Sequence, residues 1–259
     1  MEQKIDIVQT LTWYIDAGID TTCGDFCCLK NQDKPNSLTI ESKQGNIRPA
    51  VTTLSQTTNE ACKNARDICL KANNLAELKH MVENFEGCSL KLTAKSTVFG
   101  EGSASAPIMI IGEAPGADED RLGQPFVGRS GQLLEKMLLS IGVKREDVYI
   151  TNILPWRPPG NRTPTDAEIA VCLPFLKRQI DLIKPRILLM LGGSAANALM
   201  DNNEPISKLR GRWLEYEVSL TEKISAIASF HPAFLLRNGA QKAKAWTDFL
   251  RLLKKLKEN

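Results

Sequence analysis

The sequence predicts an α/β fold: a three-layer α/β/α sandwich around a four-stranded parallel sheet, with a helical N-terminal extension. Three observations carry this expectation. Residues 108–111, 148–153, 187–191 and 224–230 are short apolar runs of the kind that form strands covered on both faces. Between them, residues 130–141, 165–183 and 194–200 show helical character, and strands alternating with helices imply a parallel sheet between helical layers. Three of the apolar runs also lead directly into short polar segments. In such a sheet these would gather outside the carboxyl ends of the strands, where ligands bind.

Taken in order, residues 5–17 set Ile7, Val8, Leu11, Tyr14 and Ile15 at helical spacing and predict a short amphipathic helix. Residues 33–59 are polar, with Pro35, Gly45, Pro49 and a Ser/Thr-rich stretch. Their composition buries too little apolar surface to offset the entropy of ordering, which predicts a flexible linker. A further helix is expected over residues 60–83, with its end near Gly87. The chain thus divides into an extension, residues 1–83, and an α/β domain, residues 84–259. Within the domain, Thr165 and Glu168 match a capping box, each side chain satisfying a free amide of the helix start. A last helix is expected over about residues 240–256.

At 259 residues the chain can bury a full core. A formal net charge of +3 and a pI near 8.4 do not by themselves announce a nucleic-acid partner. Basic residues do gather locally. Lys242, Lys244, Arg251, Lys254, Lys255 and Lys257 lie on the last helix, with Arg237 just before it, a pattern that a solvated helix face also produces. No run approaches the ~20 apolar residues of a membrane span, and the N-terminus lacks the basic start and apolar core of a signal peptide. The expectation is a cytoplasmic chain with no membrane partner, monomeric by default. In that reducing compartment Cys23, Cys27, Cys28, Cys62, Cys69, Cys88 and Cys172 raise a metal question rather than a disulfide one.

The polar segments carry the chemistry. The first apolar run leads into Gly112-Glu113-Ala114-Pro115-Gly116, with Pro125-Phe126-Val127-Gly128 soon after; the second leads into Thr151-Asn152; the fourth leads into His231-Pro232-Ala233. A carboxylate, an aromatic ring, an amide and an imidazole converging in one pocket could hold and activate a planar base. The spacing of the first loop is wrong for a Walker or Rossmann phosphate loop. It resembles instead the first motif of the type 4 uracil-DNA glycosylases. The likeness continues in family order through Glu119-Asp120, Gly123, Pro125 to Gly128, Ser130-Gly131, Leu133-Leu134, Thr151-Asn152, Arg157-Pro158-Pro159, residues 161–165, Leu191-Gly192 and His231-Pro232-Ala233. It covers the chain from about Cys88 onward, and the family fold is itself a four-stranded parallel sheet between helices.

The resemblance implies a DNA repair hydrolase that flips uracil out of the stack, cuts its N-glycosidic bond and leaves an abasic site in base-excision repair. Phe126 would stack on the base, with Gly112 and Ala114 beside it, and Asn152 would accept from N3–H and donate to O4. His231 would donate to O2 as the uracil anion departs. Ala114 stands where related type 1 enzymes carry a water-positioning aspartate, so Glu113 and Glu119 are the candidate water-positioning or charge-stabilising groups, unranked. Leu235 is the candidate wedge into the vacated stack, the alternative being core packing. Arg237, Arg162 and the Arg129-Ser130 helix start are candidate phosphate contacts. No lysine nucleophile is evident, so strand cleavage is not expected. The rival readings are a non-catalytic DNA-binding member of the fold, or a glycosylase of broader deaminated-base specificity. Replication or repair proteins could dock on the N-terminal extension.

Type 4 enzymes usually hold a [4Fe-4S] cluster on four cysteines. Only Cys88 and Cys172 stand at matching places here; Lys91 and Trp156 replace the other two. Four thiolates are the normal requirement, so the expectation is no cofactor, with Trp156 and the Lys91 stem filling the space. The alternative recruits the cysteines nearer the N-terminus.

Overall fold

The computed structural model describes residues 51–219 and 221–258. The predicted helix at 5–17, most of the predicted linker, and Cys23, Cys27 and Cys28 lie outside the described residues. Six strands form one sheet: β1 (Glu101–Gly102), β2 (Ile108–Gly112), β3 (Val148–Asn152), β4 (Ile187–Leu191), β5 (Trp213–Glu217) and β6 (Lys223–Ser229), in the order β1-β3-β2-β4-β6-β5. The four central strands run parallel and are the four apolar runs expected from sequence. The edge strands β1 and β5 are antiparallel additions that enlarge the expected four-stranded sheet to six. β5 escapes a search for buried runs because its Trp213-Leu214-Glu215-Tyr216-Glu217 sequence is mostly exposed; only Tyr216 is fully buried.

Nine α-helices are seen among the described residues: α1 (Val51–Lys71), α2 (Leu75–Asn84), α3 (Ala117–Leu122), α4 (Arg129–Leu139), α5 (Asp166–Ile183), α6 (Gly193–Met200), α7 (Ile206–Leu209), α8 (Pro232–Arg237) and α9 (Lys242–Lys257). Side chains alternate across each central strand, so each face of the sheet seeds its own core. Ile108 and Ile110 join Leu134 and Leu138 of α4 and Trp246 and Phe249 of α9. Met109 and Ile111 join Phe175 and Ile180 of α5 and, beyond them, Leu78 and Val82 of α2. Thr165 accepts from the Glu168 amide (3.3 Å) and Glu168 from the Thr165 amide (2.8 Å), the capping box at the start of α5.

Two expectations about the extension need correction. Residues 51–59, placed in the flexible linker, are helical in α1; polar composition there did not report the packing that its later turns make on α5. The single helix expected over 60–83 is two. Asn74 accepts from the Glu77 amide (2.9 Å) and starts α2 afresh, while Arg178 of α5 ties down the Ala72 carbonyl at the break. Ala65, Leu78 and Val82 are fully buried, so a boundary at 83/84 cuts through one packed core.

Candidate active site

The sheet brings the polar segments together by register. Gly112 at the end of β2 pairs with Asn152 at the end of β3, and the chain leaves β6 at Ser229 to reach His231 two residues later. A cavity of about 500 Å³ opens there. Its walls include Glu113, Ala114, Glu119, Phe126, Arg129, Ser130, Asn152, Arg162, His231 and Arg237, almost the whole expected site. Pro158, Asn161 and Phe234 also line it and were not singled out from sequence as pocket residues. Gly112 is close beneath: a Cβ there would lie 2.3 Å from Asn152 Oδ1 and 2.6 Å from the Phe126 ring, so only glycine lets those two side chains meet.

Asn152 is buried, and its Oδ1 has no hydrogen-bond partner. An orphaned buried acceptor costs about 1–3 kcal/mol. Phe126 stacks near His231, ring centroids 5.6 Å apart and planes 29° from parallel. The His231 Nδ1 accepts the Ala233 amide (3.1 Å) at the start of α8, which leaves the proton of the neutral ring on Nε2. Burial, and then the charge of Arg237, pull its pKa down to about 4, against a smaller opposing pull from Glu119. The ring is therefore a neutral N–H donor near pH 7. Gly192, at φ +96°, backs it, with room for a Cβ only 3.3 Å from the His231 Cβ.

The two candidate carboxylates differ. Glu119 Oε1 accepts the amides of Val127 (3.0 Å) and Gly128 (2.9 Å), and its Oε2 accepts that of Gly116 (3.1 Å). It caps α3 and ties the Phe126 loop to it, so its lone pairs are engaged within the fold. The Glu113 carboxylate makes no hydrogen bond or ion pair with any described residue, and Glu113 lines the cavity. Arg162 forks onto Glu168 (2.9 and 2.6 Å), and this holds the Glu168 carboxyl at about 2. Its charge is thus partly committed to the start of α5.

The wedge assignment needs correction. Leu235 is fully buried, packed with Phe230 and Phe249 in the core on the α9 side, while Leu236 is 41% exposed. In a Leu-Leu pair on a short helix one side chain turns inward, and sequence does not say which.

At the expected cluster position, Cys172 Sγ approaches Cys88 Sγ at 3.9 Å, a contact that lowers the Cys88 pKa and raises that of Cys172. Trp156 is buried beside them. Its indole N–H donates to Thr97 Oγ1 (3.0 Å) and its ring stacks on Phe85, which meets Phe175 edge-on. Among the described residues no group of three or more His, Cys, Asp or Glu could hold a metal. Two thiols and a filled, satisfied aromatic position do not fit a four-thiolate cluster. No helix of the described residues is long and apolar enough to cross a membrane.

Comparison with known proteins agrees with this geometry. The model of the uracil DNA glycosylase superfamily matches residues 99–254. A type-4 uracil-DNA glycosylase of Pyrobaculum aerophilum is 39% identical over 179 residues, 68% of this chain and 91% of the relative. One of Thermotoga maritima is 43% identical over 158 residues, 61% of this chain and 80% of the relative. A type-5 uracil-DNA glycosylase of Pyrobaculum aerophilum is similar at 31% over 147 residues, 51% of this chain and 63% of the relative.

Proposed function

The chain belongs to the uracil-DNA glycosylase superfamily, and from that membership we propose that it is a type 4 uracil-DNA glycosylase of base-excision repair. It flips uracil out of DNA, hydrolyses the N-glycosidic bond and leaves an abasic site. The observation that carries this reading is the partnerless Oδ1 of Asn152, on the same cavity wall as Phe126 and His231. Uracil N3–H satisfies that oxygen while the amide nitrogen donates to O4; cytosine presents the reverse pattern. The wrong base leaves the acceptor unpaired and is rejected.

With the Phe126 ring stacked on the base, His231 Nε2–H donates to O2, where negative charge gathers as uracil departs. One preorganised donor of this kind is worth about 2.7–4 kcal/mol. Glu113, whose carboxylate has no internal partner among the described residues, positions the attacking water or stabilises the cationic sugar. Glu119 acts at one remove by holding the Phe126 loop. Leu236 rather than Leu235 enters the vacated stack, and Arg237 and the amides at the start of α4 hold phosphates. No lysine among the described residues lines the cavity, which supports a glycosylase without strand cleavage. The donor set at Cys88 and Cys172 supports catalysis without an iron–sulfur cluster.

Incubation with a single-uracil DNA strand in EDTA, followed by alkali, is expected to cut at that position with the wild type and not with His231→Ala. Binding without cutting, in single- and double-stranded DNA alike, would overturn the glycosylase assignment. Anaerobic purification with about four irons per chain would overturn the cluster-free reading.

A further inference from the structure

Phe126 stands at φ +52°, in the left-handed region that a bulky side chain avoids. Such a conformation is costly and persists only where its surroundings over-determine it. Those surroundings are visible on every side of the loop. Glu119 accepts the two amides that follow Phe126. Gly131 of α4 lets the helix lie against the loop, since a Cβ there would sit 1.8 Å from the Phe126 carbonyl oxygen. The two carbonyls of the loop are taken by one distant side chain, Arg145. Its Nη2 donates to the Pro125 oxygen (2.7 Å) and its Nη1 to the Phe126 oxygen (3.0 Å).

Arg145 is itself held. Its Nη2 pairs with Glu101 of β1 (2.8 Å) and its Nη1 with Glu135 of α4 (3.2 Å), and only 23% of the side chain is exposed. One planar guanidinium thus joins the sheet edge, α4 and both carbonyls of the stacking loop, a fork that lysine, with its single donor atom, cannot copy. Arg145 lines a separate hollow with Glu101, Glu135 and Leu139 and is absent from the walls of the base cavity.

We propose that Arg145, anchored by Glu101 and Glu135, is the positioning residue that imposes the backbone conformation of Phe126 and so the tilt of the ring that stacks on the flipped base. The inference rests on the stacking role given to Phe126 above. It assigns a function to a residue that the sequence does not single out, and it explains how the loop keeps a strained conformation before any base arrives.

The test is single-turnover excision by Arg145→Gln, with DNA affinity, inhibition by free uracil and thermal stability measured alongside. A reacting-group misplacement of about 1 Å costs up to roughly 100-fold, so the rate is expected to fall roughly 10- to 100-fold. Half-saturating DNA should change less than about twofold, uracil inhibition should weaken in step with the rate, and added guanidinium ion should restore part of the loss. Arg145→Lys is expected to resemble Arg145→Gln. In a Phe126→Ala background, Arg145→Gln should cost little more, because both act through one ring. A lower melting temperature with unaltered rate and uracil inhibition would overturn the proposal, as would a full additive loss in the Phe126→Ala background. If Arg145→Gln does not fold, Glu101→Gln and Glu135→Gln carry the same readouts, with smaller losses expected and unaltered kinetics in both overturning it. Wild-type protein that excises no uracil would instead refute the glycosylase reading itself.

Discussion

Trp156 lies four positions after Asn152, and the two stand in opposite kinds of environment. Asn152 is buried with an acceptor left open, next to a phenylalanine in a strained backbone conformation and a histidine whose pKa is held near 4. Trp156 is buried with its one donor satisfied by Thr97 and its ring packed on Phe85. Both positions sit in the stretch that leaves β3, so the same backbone carries unmet polar capacity at one point and none a turn later. The strain at Phe126 is met from within the fold, by Glu119 and Arg145, whereas the Asn152 oxygen is met by no described group. Where every group is matched internally, the residue serves the core. On this contrast the Trp156 position serves packing, while the cavity beside Asn152 keeps unmet polar capacity.

The largest effect should appear on the Trp156 side and should spare chemistry. Trp156→Ala removes a fully buried indole and is expected to cost about 3–5 kcal/mol of stability by chemical denaturation. Excision measured well below the melting temperature should stay within about twofold of the wild type. A large rate loss at full folding would mean that the cluster region still communicates with the pocket. The Leu235 and Leu236 pair draws the same line at smaller scale. Leu235→Ala is expected to destabilise by about 2–5 kcal/mol. Leu236→Ala should stay within about 0.5 kcal/mol of the wild type yet slow excision from duplex DNA more than from single strands. If Leu236→Ala leaves both substrates untouched, the wedge is elsewhere.

On the pocket side the pattern reverses. His231→Ala is expected to lower the single-turnover rate about 10²–10³-fold. Its stability cost should be only about 1 kcal/mol, that of a lost N-cap on α8. Glu113→Gln should slow turnover without loss of stability. Glu119→Gln should lose stability as well as rate, because its two oxygens hold three amides. Equal stability in the two variants would break the distinction drawn between a glutamate that lines the cavity and one that braces the loop.

Much of this was legible in the sequence because strands, motifs and register are local or nearly so. The four central strands declared themselves as buried apolar runs, and Glu113, Phe126, Asn152 and His231 were marked by their places after those runs. What was not legible depends on distance in the fold. Arg145 stands in a charged run, Lys144-Arg145-Glu146-Asp147, and nothing nearby says that its guanidinium reaches carbonyls about twenty residues earlier. Glu119 reads as a second pocket carboxylate because two of its three amide partners, Val127 and Gly128, lie eight and nine residues further along the chain. The inward turn of Leu235 follows from packing against α9, and β5 was missed because an edge strand need not be apolar throughout.

The smallest expected effect is on acid stability, and it separates two titratable groups behind the same strand end. His231 titrates near 4 in the fold against about 6.5 in an unfolded chain. Between those values the unfolded state takes a proton that the folded state refuses, so this residue makes the protein less stable as pH falls from 6.5 towards 4. Asp248 acts the other way. Its carboxylate accepts from Ser229 (2.8 Å) and pairs with Arg210 (2.5 Å), yet burial outweighs both and raises its pKa to about 6. The folded state therefore holds a proton that the unfolded state has released between about 6 and 3.8. Its contribution is present at the acid end and is lost as pH rises through 6. The two trends oppose one another, and the wild-type profile should be flatter between pH 4 and 6.5 than either group alone would make it. In Asp248→Asn the acid loss from His231 should stand out, on top of a uniform drop from leaving Arg210 without its partner. In His231→Ala the profile should instead tilt towards greater stability in acid. Denaturation midpoints taken across this range for the three proteins read the slopes directly, and parallel profiles would mean that neither group is held as the fold requires.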